Sequence, residues 1–244
     1  MDIALIWNEA LVKPILNVLL FFNFYTASLG VSLIILTIII KLILFPLNIP
    51  AIKMQYAKKK LDSKLKDLKE KYPDKTEFAK AQMELFKEHG INPASGCLPL
   101  ILQLLVIFAL LNVFNLVLKD GGVASSYVYL DFLKNPILTR NFLYLDLFKP
   151  DPYYILPLLS GVAQYFVSRV SIVKPDPALV AKKETDKKGG DDMQQAMEKQ
   201  MLYMSPILTA FFGFSLPSGI VLYWFVSTVF SYFQTVIIKK FIKA

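Results

Sequence analysis

A lysine, Lys41, stands inside the apolar run from Leu29 to Ile49. On insertion scales a lysine near the middle of a membrane span costs about 2.5 to 3.5 kcal/mol, so its ammonium either snorkels to the headgroup region or faces something polar. Polar groups are available in the other apolar runs. Thr37 lies one turn from Lys41 on the same face, Gln103 sits in a second run, Ser160, Gln164 and Ser168 recur at four-residue spacing in a third, and Trp224, Ser227, Thr228, Ser231 and Gln234 stripe a fourth. Interhelical hydrogen bonding accounts for any one stripe alone. Several stripes around a single charge favour a wet groove, whose chemistry would be the binding of polar or anionic segments.

Bond-making chemistry has no comparable support. The apolar runs hold no Asp or Glu pair for acid-base work, no histidine and aspartate to activate a serine, and no glycine-rich phosphate loop. A proton-coupled transporter would also be expected to carry a carboxylate there. One histidine, His89, and one cysteine, Cys97, leave no zinc ligand set and no intramolecular disulfide. His89 reads as a solvated residue near a helix end and Cys97 as a small apolar residue at the head of a span. The expectation is a protein that is not an enzyme and needs no cofactor or metal.

The elements that must carry Lys41 and its partners follow from composition. The 244 residues are 55% hydrophobic and 19% charged, with a mean hydropathy of +0.48, which points to solvation largely by lipid. The net charge is nonetheless +8, so basic residues concentrate outside the bilayer. Direct nucleic-acid binding is not indicated, because the lysines flank apolar runs and are mixed with acids, without interleaved aromatics.

About 20 apolar residues cross a bilayer as a helix. Residues 29–49 make span one, 93–118 span two, 153–173 span three, 201–216 a short span four, and 217–244 span five with a short basic tail, the chain turning at Leu216-Pro217-Ser218-Gly219. Residues 1–28 lack the pattern of a secretory signal and read as an amphipathic helix lying in the interface plane, an additional span over 11–28 being the alternative. Lysines crowd 50–92, 174–200 and the tail, whereas the loop 119–152 balances its basic residues with acids. The positive-inside rule then puts the N-terminus and the 119–152 loop outside, and the C-terminus in the cytoplasm. Within 50–92, Leu61, Leu65, Leu68 and Tyr72 make one apolar stripe and Phe78, Ala81, Leu85 and Phe86 another, with Pro73 between them and Asp74 and Glu77 placed for a capping box. This predicts a cytoplasmic helical hairpin, a structural arm or a contact surface. The 174–200 segment reads as a cytoplasmic loop.

Four ordered stretches then carry a resemblance: TIIIKLILFPL at 37–47, INPASGCLPLILQ at 91–103, FLYLDLFKPDPYYILPLL at 142–159 and PSGIVLYWFVSTVFSYFQ at 217–234. Over nearly its whole length the chain resembles the YidC/Oxa/Alb family of membrane protein insertases, most closely the short bacterial type. The resemblance implies an all-α integral membrane protein of the bacterial plasma membrane, with five transmembrane helices around a hydrophilic groove open to the cytoplasm and to lipid. It places Lys41 where the family usually has an arginine, Thr37 one turn above, Gln164 at the polar position of span three, and Trp224 beside Tyr223 in span five. With Gln103, Ser160, Ser168, Ser227 and Ser231, these are the expected groove residues. Lysine keeps the charge but lacks the planar multi-donor guanidinium.

The function this implies is insertion, with assisted folding, of newly made membrane proteins, especially those with short acidic extracytoplasmic segments. The Sec translocon, the signal recognition particle receptor and the ribosome are candidate further partners beside the lipid bilayer. The lack of a long basic tail argues against strong ribosome docking. A Sec-associated folding chaperone is the alternative function, and a small channel or transporter a more distant one, disfavoured by the lack of a pore-lining ring of charges.

Overall fold

A computed structural model describes residues 3–90, 92, 98–118, 125–134, 136–172 and 191–243. Pro93, Cys97, the start of the 119–152 loop and most of the 174–200 loop lie outside the described residues.

Helix α1 runs through an α-segment Ile3–Trp7, a π-segment Asn8–Val12 and an α-segment Lys13–Thr26. Ala27 takes a left-handed conformation (φ 49°) to end it, and Ser28 caps α2 (Leu29–Ile43) by accepting from the Val31 N–H. Over Ala4–Thr26, α1 is long and apolar enough to cross a membrane. It also carries the 119–152 loop: Asn17 donates to the Tyr127 carbonyl and accepts from the Tyr129 N–H, both at 2.8 Å, and Asn23 donates to the Ile137 carbonyl.

Residues 29–49, expected as span one, do not form a single helix. Helix α2 stops at Ile43, and α3 (Phe45–Lys60) leaves at 57° to it. Pro46 explains the break, because it has no N–H to offer the preceding turn and its ring crowds the carbonyl four residues earlier. Helices α4 (Asp62–Lys71) and α5 (Lys75–Glu88) follow, and Leu61, Leu85 and Phe86 form a small core with Met54, Leu65 and Leu68, apart from the main one. Asp74 caps α5 through the Thr76 and Glu77 N–H groups at 2.8 and 3.0 Å.

Helix α6 (Leu98–Leu118) and helix α9 (Ser218–Lys243) are each long and apolar enough to span, as the bent α2–α3 pair is when counted as one. Helix α7 (Ile155–Ser171) is shorter, 17 residues or about 26 Å, because Ile172 turns extended. Helix α8 (Asp191–Gly213) has a strongly apolar part only over Leu202–Gly213. The described residues thus hold three helices fit to span, or four with the bent pair. Helix α9 packs along α7 and α2, α7 along α8, and α6 against α1, α3 and α9.

The starts of α2 and α9 meet a two-stranded hairpin, β1 (Asn141–Phe142) and β2 (Leu145–Asp146). The turn opening α9 docks on it: the Ser218 N–H donates to the Lys149 carbonyl at 2.7 Å, the Gly219 N–H to the Leu147 carbonyl at 2.9 Å, and the Ser218 hydroxyl to the Asp146 carbonyl at 2.6 Å. Glycine is required here. A Cβ on Gly219 would fall 2.4 Å from the Phe114 ring, and one on Gly30 would fall 2.2 Å from Phe142.

Candidate functional site

Lys41 occupies the last turn of α2 before the break and is 8% exposed. A lysine so placed needs acceptors, and two other helices supply them. Its ammonium donates to Gln103 Oε1 on α6 at 3.2 Å and to Ser231 Oγ on α9 at 3.0 Å. Among the described residues no carboxylate pairs with it, so the charge is solvated by neutral dipoles.

The bonds around it run in one consistent direction. Because an ammonium only donates, the Gln103 carbonyl oxygen must face Lys41, and its NH2 then donates to the Tyr223 hydroxyl at 3.0 Å. The Ser227 hydroxyl donates to the same Gln103 oxygen at 3.2 Å, and the Ser231 hydroxyl donates to the Ser227 carbonyl at 2.9 Å, leaving its lone pair for Lys41. Tyr223 is 1% exposed. Gln103 is therefore held at three points, with its negative end fixed towards the ammonium.

A second amide grips the main chain of the same lysine. Gln234, one turn beyond Ser231, donates to the Lys41 carbonyl at 3.1 Å and accepts from Asn48 Nδ2 at 3.4 Å.

The structure thus brings Lys41, Gln103, Tyr223, Ser227 and Ser231 together. Other expected groove residues bond elsewhere. Thr37 is fully buried and donates back to the Leu33 carbonyl, and Ser160 likewise to the Leu156 carbonyl. Gln164 donates to Ser205 on α8 at 2.9 Å, joining α7 to α8 rather than to Lys41. Ser168 lies half-buried at the end of α7, where its carbonyl accepts from the Ile172 N–H. Trp224, half-buried, packs on the main core.

Two polar anchors escape a reading of polar stripes in the spans. Asp151, 2% exposed, accepts from the Tyr153 and Leu156 N–H groups at 2.9 and 2.7 Å and from the Tyr144 hydroxyl at 3.2 Å, so it satisfies the N-terminus of α7. Burial, with Asp151 beside it, pushes the Tyr144 phenol up. At the other end of α7, the Lys239 ammonium donates to the Val170 and Ile172 carbonyls and lies 5.4 Å from the centre of the Tyr56 ring. An aspartate just before a helix and a lysine just after an apolar run were the available signals for these two.

The chain is similar to known proteins. Residues 21–244 match the family model described as 60Kd inner membrane protein. The chain is 29% identical over 240 residues to membrane protein insertase YidC 2 of Listeria innocua, covering 96% of this chain and 72% of the relative. It is 33% identical over 217 residues to membrane protein insertase YidC of Fusobacterium nucleatum, covering 88% of each. It is 32% identical over 237 residues to membrane protein insertase YidC of Geotalea uraniireducens, where it covers 96% of itself but only 38% of the relative. Among solved structures it resembles a crystal structure of an active YidC insertase with its first transmembrane domain resolved. The TM-score is 0.56 and the identity 25%, over 89% of this chain and 43% of that one. With a family match running from within α1 to the last residue and relatives of comparable length, the chain belongs to the 60Kd inner membrane protein family, that of the YidC membrane protein insertases.

Proposed function

We propose that the chain inserts newly made membrane proteins into a bacterial membrane, using Lys41 and its polar neighbours as a way station for a short hydrophilic segment. The observation that carries this reading is a buried ammonium held, among the described residues, by neutral acceptors from two other helices. Those bonds can be exchanged for a carboxylate without an existing ion pair having to break. Gln103, Tyr223, Ser227 and Ser231 replace part of the water that a crossing segment loses. The outer knot of β1, β2 and the α9 turn supports closure on the outer side, with the groove opening to the cytoplasm and to lipid.

In this reading five spans cross the membrane, with α2–α3 bent as one and the short α7 and α8 as two more. Helix α1 lies in the outer interface under the loop that Asn17 and Asn23 bind, the α4–α5 hairpin is cytoplasmic, and the C-terminus is inside. An acidic residue of the substrate is drawn to Lys41 while its apolar helix leaves between α7 and α9 into lipid. Burying that helix provides the drive. A potential negative inside adds about 2.3 kcal/mol per negative charge per 100 mV for outward passage. Substrates with short acidic outer segments are the partners this chemistry selects.

Reconstitution in proteoliposomes with a single-span substrate carrying an acidic outer tail tests the reading. Lys41→Ala and Lys41→Glu are expected to lower its insertion. Insertion equal to wild type by both would refute the attraction step. Full activity after Lys41, Gln103 and Ser231 are all made apolar would refute the polar way station itself.

A further inference from the structure

The break in the first span leaves an exposed problem in its backbone. At the end of a helix the last carbonyls lose their partners, and Pro46 removes the N–H that would have served the Leu42 carbonyl, next to that of Lys41. Gln234, 4% exposed, sits where this matters. A backbone carbonyl only accepts, so the Gln234 NH2 must face the Lys41 oxygen (3.1 Å), and its own oxygen is then turned to the Asn48 NH2 (3.4 Å). Lys41 precedes the break at Leu44 and Asn48 follows it. One side chain from another helix therefore bridges both arms of the 57° bend.

The same face of α9 holds the other end of Lys41. Ser231 and Gln234 are three residues apart, which puts them side by side on a helix, and they take the ammonium and the carbonyl of one residue respectively. The direction of the Lys41 side chain is thereby tied to the angle of the bend. If α2 and α3 straightened, the backbone from which Lys41 departs would rotate away from Gln103 and Ser231.

We infer that Gln234 is a positioning residue, holding the bend of the first span through the Lys41 carbonyl and Asn48 so that the Lys41 ammonium is aimed into the polar cluster. The inference rests on the reading of Lys41 as the attractor of acidic segments. It has its own observable, the bend itself.

Spin labels at Val31 and Lys53, in a Cys97→Ser background shown to insert substrate, report the angle by pulsed electron resonance in lipid. Both positions are exposed. With 13 residues on one side of Leu44 and 9 on the other, the backbone separation is about 29 Å when bent and about 33 Å when straight. Gln234→Leu is expected to shift the distribution outwards by up to about 4 Å, and Asn48→Ala to shift it partway. Lys41→Met is expected to leave it unchanged, since that variant keeps the carbonyl. Gln234→Leu is also expected to lower insertion of the acidic-tailed substrate by about fivefold to tenfold, the size of one lost bond to a strong acceptor, while a neutral-tailed substrate inserts as in wild type. An unchanged distance in both Gln234→Leu and Asn48→Ala overturns the inference, as does an equal loss with both substrates, which would mark a purely structural residue. If instead Lys41→Met inserts the acidic tail normally while Gln234→Leu still straightens the bend, the attraction reading has failed and the clamp stands.

Discussion

Replacing Gln103 by leucine removes the hub of the polar cluster at nearly constant volume. Three bonds go: those from Lys41 and from Ser227 to Oε1, each 3.2 Å, and that from Nε2 to Tyr223, 3.0 Å. Interhelical hydrogen bonds in membranes average about 0.6 kcal/mol and reach about 1.7. The Tyr223 hydroxyl and the Lys41 ammonium are left in place with a partner lost, which adds a desolvation cost of about 1 kcal/mol or more. Gln103→Leu is therefore expected to destabilise the fold by about 2 to 4 kcal/mol, a shift of at least about thirtyfold in the unfolding equilibrium. Gln164→Leu is the internal comparison, because it loses the Ser205 bond alone and should cost about 0.6 to 1.7 kcal/mol. Unfolding in bicelles by steric trapping measures both without leaving a lipid environment. A cycle of Gln103→Leu with Tyr223→Phe should be less than additive, since the two changes share a bond. If Gln103→Leu cost no more than Gln164→Leu, or if the cycle were additive, the cluster would not be the connected network described, and Gln103 would be one more lipid-buried amide.

Gly219→Ala is expected to cost about 1 to 3 kcal/mol, because the new methyl meets the Phe114 ring and the Leu147 carbonyl; a lowered thermal midpoint in detergent is the check. Asp151→Ala should cost about 1 to 2 kcal/mol through loss of the α7 cap, seen as faster amide exchange at Tyr153 and Leu156. The fully exposed Asp74 carboxyl is held below its ordinary value of 3.8 by the backbone N–H groups of Glu77 and Thr76. Its capping contribution is therefore complete above pH 3.8 and is lost as the pH falls through the depressed value. Exchange protection at Thr76 and Glu77 should persist at pH 3.8, disappear below it, and be weak at every pH in Asp74→Ala. Lys239→Met should loosen the C-terminal turn of α7 by about 1 kcal/mol, read as faster exchange at Ser171 and Ile172.

Much of the site was legible because a charge in an apolar run demands partners and few residues can serve. Gln103, Ser227 and Ser231 were found as polar residues in otherwise apolar helices; the structure puts Gln103 and Ser231 on Lys41 and Ser227 on Gln103. Helical period says which face a residue occupies but not which neighbour that face meets. Gln164 therefore read as a companion of Lys41 and bonds Ser205 instead. Thr37, one turn from Lys41, satisfies its hydroxyl on its own helix, an option that every buried threonine has. The hairpin elements followed from local signals, the leucine stripe and the Asp74 cap, which depend on neighbouring residues only. The bend was harder to read. Pro46 near the end of an apolar run fits a helix that simply ends as well as one that turns, and what holds the turn is Gln234, nearly two hundred residues away.

The partners of Lys41 are also late in time. Gln103 lies 62 positions after it and Ser231 lies 190. At about 5 to 20 residues per second of synthesis, the first acceptor leaves the ribosome about 3 to 12 seconds after the lysine and the second about 10 to 38 seconds after it. During that interval the ammonium has no built site. It has to reach up to headgroups, draw water with it, or borrow acceptors from another membrane protein. This chain thus begins its life with a polar group stranded in lipid, the predicament from which the proposed way station would spare its substrates.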